Sequence, residues 1–270
     1  MVNNFKTLFL MTVLTVLFVI VGALLGGREG AIIAFIIAAF TNFFAYWFSD
    51  KMVLKRYSAK EITSPQDRLY SIVQNLISKA ELPMPKVYII PQSTPNAFAT
   101  GRNPKHAAVA ATQGIINLLN DDELSGVIAH ELTHVKNRDM LTGTIAATLA
   151  GAVTMLSQFA MINARGSRRS NPLLMLPVLI LAPLVAMFVQ MAISRTREFI
   201  ADRGGAEISG KPLGLASALA KLHEGVSRNP LQNGNPAHAN LFIVNPFLGG
   251  GLQKLFASHP PVEERIQKLR

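Results

Sequence analysis

The sequence predicts an α+β protein, predominantly helical, held in a membrane by two to four transmembrane helices. Three observations carry that expectation. Uncharged apolar runs of membrane-spanning length recur along the chain; 50% of its 270 residues are hydrophobic and only 16% charged; and the polar segments between the runs carry the patterns of a small mixed domain.

Residues 7–27 (TLFLMTVLTVLFVIVGALLGG) carry no charge and match a hydrocarbon core of about 30 Å. Residues 30–49 form a second run that ends in Phe43, Phe44, Tyr46, Trp47 and Phe48, side chains suited to the membrane–water boundary. The first run exceeds the apolar core of a cleavable signal peptide, and a second span follows at once, so two anchoring helices are the better reading. Residues 142–162 and 172–193 are also uncharged. The first is rich in small residues from Gly143 to Gly151; the second contains Pro177 and Pro183, which membrane helices tolerate. This pair reads either as two further spans or as a hydrophobic hairpin that does not cross, hence the range of two to four.

Charge sets the orientation. The formal charge is +10, but the cations gather beside the apolar runs, at Lys51, Lys55, Arg56 and Lys60. Contact with anionic lipid headgroups accounts for them, and no nucleic-acid motif is present. This cluster, with Arg195, Arg197 and Arg203, places the polar segments on the cytoplasmic side; Arg165, Arg168 and Arg169 in the loop between the later runs argue the other way. Any even number of crossings keeps 50–141 and 194–270 on one side. The expected divisions are therefore 1–50, two N-terminal spans; 51–141, the first part of a polar domain; 142–193, the hydrophobic hairpin; and 194–270, the second part.

Within the polar parts, Ser64-Pro65 predicts a helix start, with Leu69, Ile72, Val73, Leu76 and Ile77 as its apolar face. Lys86–Ile90 predicts a strand, and 95–112 predicts two extended stretches about a Gly-Arg-Asn-Pro turn. A helix is expected from about Asp121 to Asn137, with acids in its first turn. The stretch 225–251, rich in Gly, Asn and Pro, predicts a loop.

That second helix carries His130-Glu131-Leu132-Thr133-His134. Histidines four apart on a helix turn through about 400° and rise about 6 Å, so both imidazoles face one point. They can share a tetrahedral zinc, and Glu131 beside them can act as base toward a zinc-activated water. The chain has no cysteine, and the extended motif with a third histidine is absent, so a further ligand must come from a carboxylate elsewhere. Glu198, in Arg195-Thr196-Arg197-Glu198-Phe199-Ile200-Ala201-Asp202, is the best candidate. Alone that segment reads better as a helix salt-bridged through Arg195, Arg197 and Arg203; the need for a third ligand reverses that preference toward Glu198, with Asp202 on the same face to accept a hydrogen bond from a ligand imidazole. A structural zinc in a transporter or scaffold would need a closed fourth position and no base, which Glu131 speaks against.

The HELTH segment, the hydrophobic hairpin, the Glu-x-x-x-Asp segment and the ending Ser258-His259-Pro260-Pro261-Val262-Glu263-Glu264-Arg265 together resemble the HtpX-like membrane zinc metallopeptidases, gluzincin-type relatives of the CAAX prenyl proteases. The resemblance implies a zincin-like metalloprotease domain with one Zn2+ per chain, ligated by His130, His134 and Glu198, with Glu131 as general base and Asp202 behind the ligands. It implies that His259 and Arg265 approach the oxyanion of the transition state, where preorganised donors act most strongly. It also implies that Asn96, Ala97 and Phe98 lie on a substrate-facing strand, able to hold an extended peptide through its main chain. The expected activity is a zinc endopeptidase of the bacterial cytoplasmic (inner) membrane, facing the cytoplasm. Its expected partners are the lipid bilayer and unfolded or membrane proteins, cleaved in membrane-protein quality control and stress response. Four spans are too few to enclose the large chamber of a prenyl-protein processing enzyme, and no feature specifies an oligomeric state.

Overall fold

Gly26 and Gly27 separate the first two apolar runs, and there the helical segment α1, Val2–Arg56, breaks: Gly27 takes φ 60° and ψ −141°. That left-handed φ is open to glycine and strained for residues with a Cβ. The two arms fold back together so closely that a Cβ on Gly22 would stand 2.4 Å from the Gly30 carbonyl oxygen. Ala45 packs near Met11 and Phe18, and Asn42 Nδ2 donates to Thr15 Oγ1 at 2.8 Å and to the Met11 carbonyl at 3.3 Å. Small residues and interhelical polar bonds are how helices associate in lipid. The structure, a computed structural model, describes residues 2–141, 195–228, 242–243 and 260–270. The hairpin 142–193, its loop arginines, most of the expected loop 225–251 and His259 lie outside the described residues.

Among the described residues one segment, Gly26–Phe48, is long and apolar enough to cross a membrane; the apolar stretch of the first arm, Thr7–Ile20, is shorter. Phe35, Phe40 and Phe43 are each more than half exposed along the second arm. So continuous an apolar surface is costly in water and natural in lipid.

The last turns of α1 run directly into the mixed domain. Its sheet contains β1 (Lys60–Ile62), β2 (Lys86–Ile90), β3 (Ala97–Gly101) and β4 (Ala107–Thr112), in the order β1-β2-β4-β3. β2 and β4 are parallel, the other two pairings antiparallel, and β3 lies at an edge with Phe98 opposite Ala110 and Ala99 opposite Val109. On one face Val53, Leu54 and Tyr57 cover Ile90, Phe98, Ala108 and Ala110. On the other, helices bury Val87, Ala97, Val109 and Ala111.

The first of those helices is α2, Arg68–Ala80, with Leu69, Ile72, Val73 and Leu76 buried as its spacing predicts. Burying one such side chain contributes about 1.5–3 kcal/mol. It starts later than Ser64-Pro65 suggests, because Ser64–Asp67 closes a turn first (Asp67 N–H to Ser64 O, 3.0 Å) and Asp67 becomes the N-cap. A short helix, α3 (Gln113–Leu118), follows β4 and is capped by the Thr112 hydroxyl. Then α4, Asp121–Lys136, begins at a capping box in which Asn120 and Glu123 each satisfy the other's backbone N–H.

Helix α4 is the hub, packed against α2, β3 and two later helices, α5 (Arg195–Ser209) and α6 (Pro212–Arg228). Glycines permit the approach. A Cβ on Gly126 would lie 2.8 Å from the Leu215 nitrogen, and one on Gly205 only 2.9 Å from the His130 nitrogen. The amphipathic α7, Val262–Leu269, closes the domain, turning Val262, Arg265 and Leu269 inward.

Candidate active site

Close packing of α5 on α4 brings Glu198 to the two histidines. Glu198 Oε2 is 3.6 Å from His130 Nε2, and its Oε1 is 3.6 Å from His134 Nε2. The three ligand atoms lie within 4.8 Å of one another. The two 3.6 Å separations, one to each oxygen of Glu198, are too long for hydrogen bonds and close to the edge, about 3.3–3.4 Å, of a tetrahedron whose corners lie about 2.0–2.1 Å from its centre, the ligand distance of zinc. Two neutral imidazole nitrogens and one carboxylate form a donor set that suits this metal and leaves a fourth direction open. The site fits zinc.

Each imidazole is backed by a second carboxylate. His130 Nδ1 faces Asp202 Oδ1 at 3.0 Å, off the line of an ideal hydrogen bond. His134 Nδ1 meets Asp139 Oδ2 at 3.3 Å. Burial alone would lower the pKa of His134; the bond to Asp139 and the charges of Glu198, Glu131 and Asp139 outweigh it and raise the value. Arg197 Nε stands 3.7 Å from Asp139 Oδ2 and contributes charge to that corner. Sequence reasoning did not identify Asp139. Its signal was a carboxylate five residues beyond the second histidine, just past the end of α4.

Arg265 is wholly buried. Its Nε and Nη2 donate to Asp202 Oδ2 and Oδ1 at 2.8 and 2.7 Å, and its Nη1 donates to the Ile243 carbonyl at 3.0 Å. Burial pushes the Asp202 carboxyl up, but Arg265 and His130 override it and hold the pKa at about 2. The expectation for Arg265 was an oxyanion contact. In the structure three of its five N–H groups bond to Asp202 and Ile243, and Nη2 stands 4.0 Å from Glu198 Oε2. His259, the other expected oxyanion donor, lies outside the described residues.

Glu131 follows His130 on α4, and its Oε2 accepts the backbone N–H of Ala99 at 2.9 Å. That N–H therefore points away from β4. Alternation along an antiparallel pair turns the main-chain groups of Ala97, Ala99 and Gly101 outward and those of Phe98 and Thr100 toward β4. Of the three residues expected to face substrate, Ala97 thus turns its main-chain groups away from β4 at the sheet edge, in a buried position. Phe98 packs its ring on Tyr57 at 5.8 Å between centroids. Asn96 is buried, with Oδ1 accepting the Ile243 N–H at 3.3 Å. Ile243 joins the start of the edge strand to Arg265, Asp202 and His130.

Residues 63–270 match Peptidase family M48. The chain belongs to that family. It is 54% identical over 274 residues to a "Protease HtpX homolog" of Syntrophotalea carbinolica, covering 99% of this chain and 98% of the relative. It is 55% identical over 275 residues to a homologue of the same name from Methylibium petroleiphilum, covering 100% and 97%. Among solved structures it resembles S. mikatae Ste24p with a TM-score of 0.54 at 17% identity, covering 87% of this chain and 57% of that one, a likeness of fold alone. As an HtpX-type M48 chain the protein is a metallopeptidase. The cluster His130, His134 and Glu198 is where an M48 metal can bind.

Proposed function

We propose that this protein is a membrane-bound zinc endopeptidase that hydrolyses peptide bonds in unfolded or membrane-associated polypeptides as part of membrane-protein quality control. One observation carries the reading: the carboxylate next to the His–His–Glu cluster accepts a main-chain N–H from β3, the strand at the edge of the sheet, at 2.9 Å in a buried contact. Base, metal cluster and peptide-pairing edge therefore meet at one point. The reading takes residues 1–50 as two N-terminal spans, 51–141 and 194–270 as two parts of a zincin-like domain, and 142–193 as a hairpin in the membrane. It is supported by Leu141, which packs against Ala45 and Tyr46 at the threshold of that segment. The two parts face the cytoplasm at the bacterial inner membrane, as the cations at 51–60 favour.

His130, His134 and Glu198 would hold one zinc. When bound, zinc would lower the pKa of a water molecule and polarise the scissile carbonyl. Glu131 takes the proton of the attacking water and passes it to the departing amine. An extended substrate adds to β3 through the outward main-chain groups of Ala97 and Ala99, which reads backbone more than side chains and suits unfolded chains of varied sequence. The substrate strand would displace Glu131 from the Ala99 N–H and so free the base. Asp202 and Asp139 fix the two imidazoles, Arg265 holds Asp202, and His259 is the remaining candidate to meet the oxyanion.

The test is proteolysis of casein by the detergent-purified protein. Chelation should abolish cleavage and stoichiometric zinc should restore it; cleavage that survives full metal removal refutes the proposal.

A further inference from the structure

The edge strand that meets Glu131 ends in a turn that rests on the apolar helix. Arg102, first residue after β3, sets its guanidinium 4.6 Å from the centre of the Trp47 ring. Trp47 and Phe48 close the apolar segment Gly26–Phe48. With Phe43 and Phe44 they form an exposed aromatic cluster whose neighbouring centroids lie 5.5–6.5 Å apart. Beyond this belt Lys51 reaches over Phe48 at 5.6 Å, and Lys55, Arg56 and Lys60 follow, against one acid, Asp50. Lys105, on the same turn as Arg102, is exposed. No linker separates helix from domain, because Val53, Leu54 and Tyr57 are already packed on the sheet. The turn therefore has a fixed height on the helix, level with its aromatic end.

An aromatic belt capped by cations is the chemistry of the headgroup layer: rings sit at the interface and guanidinium groups bind phosphate. A guanidinium lying on an aromatic face keeps its N–H edges free for phosphate oxygens. We propose that the β3–β4 turn, residues 101–106, is seated in the lipid headgroup layer with Arg102 against anionic phospholipid phosphate, and that this seat sets where the peptidase cuts. Ala99, whose N–H meets Glu131, precedes Arg102 by three residues, about 10 Å along a strand. A chain paired with β3 is cut a few residues from the bilayer surface. The favoured substrates are juxtamembrane segments of membrane-anchored polypeptides. This rests on α1 being inserted in the membrane and on β3 receiving the peptide.

The chain contains a single tryptophan and no cysteine, so two probes separate the claims. In phosphatidylcholine–phosphatidylglycerol vesicles, brominated acyl chains should quench Trp47. A fluorophore on Lys105→Cys should be quenched by headgroup nitroxide lipid severalfold more than one on Ser78→Cys, at an exposed position of α2. The preference for nitroxide on phosphatidylglycerol over phosphatidylcholine should vanish in Arg102→Gln. Quenched Trp47 with equal quenching at 105 and 78 overturns the seat; unquenched Trp47 overturns the insertion beneath it. In the same vesicles, a substrate with one apolar helix and a long unstructured tail should be cut within a few residues of the helix end. Cuts spread evenly along the tail, by protein that digests casein normally, overturn the positional claim.

Discussion

His134 Nδ1 stands 3.3 Å from Asp139 Oδ2, so the second histidine of the motif carries its own carboxylate partner. The first, His130, is backed by Asp202 from α5. The two imidazoles are thus oriented by different parts of the chain: one by the residue just past their own helix, the other by a helix that arrives about 65 residues later. A fixed Nδ1 partner selects the tautomer that offers Nε2 to a metal.

Asp139→Asn keeps the size of the side chain and removes its charge. Zinc affinity, measured by competition with a chromophoric chelator, should fall about 10- to 100-fold. Helix content should not change, since Asp139 lies outside α4. Unaltered affinity would reduce Asp139 to a local salt-bridge partner of Arg197.

Gly205→Ala tests the closeness of α5 to α4. The new Cβ would meet the His130 nitrogen at 2.9 Å and its Cα at 3.0 Å. These are backbone atoms in the middle of a packed helix, so the helices must part. Thermal stability should drop by about 1–3 kcal/mol, and zinc content by elemental analysis should drop with it as Glu198 moves away. Full zinc occupancy in the variant would show that the site tolerates the displacement.

Arg265→Gln leaves Asp202 buried without its cation. Such breaks cost about 3–5 kcal/mol, measurable by denaturation of the zinc-free protein in detergent. Arg265→Lys restores charge without the two-pronged contact and should fall between. Because both residues act in one pair, Asp202→Asn combined with Arg265→Gln should cost less than the sum of the single changes.

The Glu123 carboxyl is pushed up by burial, but its bonds to Lys221, Ser217 and the Asn120 backbone bring its pKa below the usual 4.5. A lowered folded pKa stabilises the protein fully above about pH 4.5, and the contribution is lost as pH falls through the folded value. Wild type should therefore lose stability on acidification across that window. Glu123→Gln should be less stable at pH 7 and show a shallower fall. Parallel profiles would contradict the assignment.

Local patterns made much of the domain legible. The apolar face of α2, the strand at 86–90, the hairpin about Gly-Arg-Asn-Pro and the acidic start of α4 follow from periodicity and turn chemistry, which act over a few residues. The His–His–Glu cluster was legible for a chemical reason, since a cysteine-free chain with two histidines on one face needs a third donor. What was missed depends on long-range packing. The parallel pairing of β2 with β4 was not anticipated; it leaves β3 at the edge that the resemblance, though no local pattern in 97–101, implied. Helix α6 carries no motif, and β1 has only three residues. The resemblance implies an oxyanion role for Arg265; only the fold reveals its bonds to Asp202 and the Ile243 carbonyl. Phe98 likewise belongs to the packing between sheet and α1, and its neighbours' main chains form the sheet edge that meets Glu131.

The central claim is that Glu131 is the base of a zinc peptidase, and Glu131→Gln tests it most directly. In detergent with stoichiometric zinc, the variant should retain zinc and thermal stability while its cleavage of casein falls at least about 100-fold, the low end of what a positioned base contributes. Cleavage at the wild-type rate by a zinc-loaded Glu131→Gln protein would contradict the account.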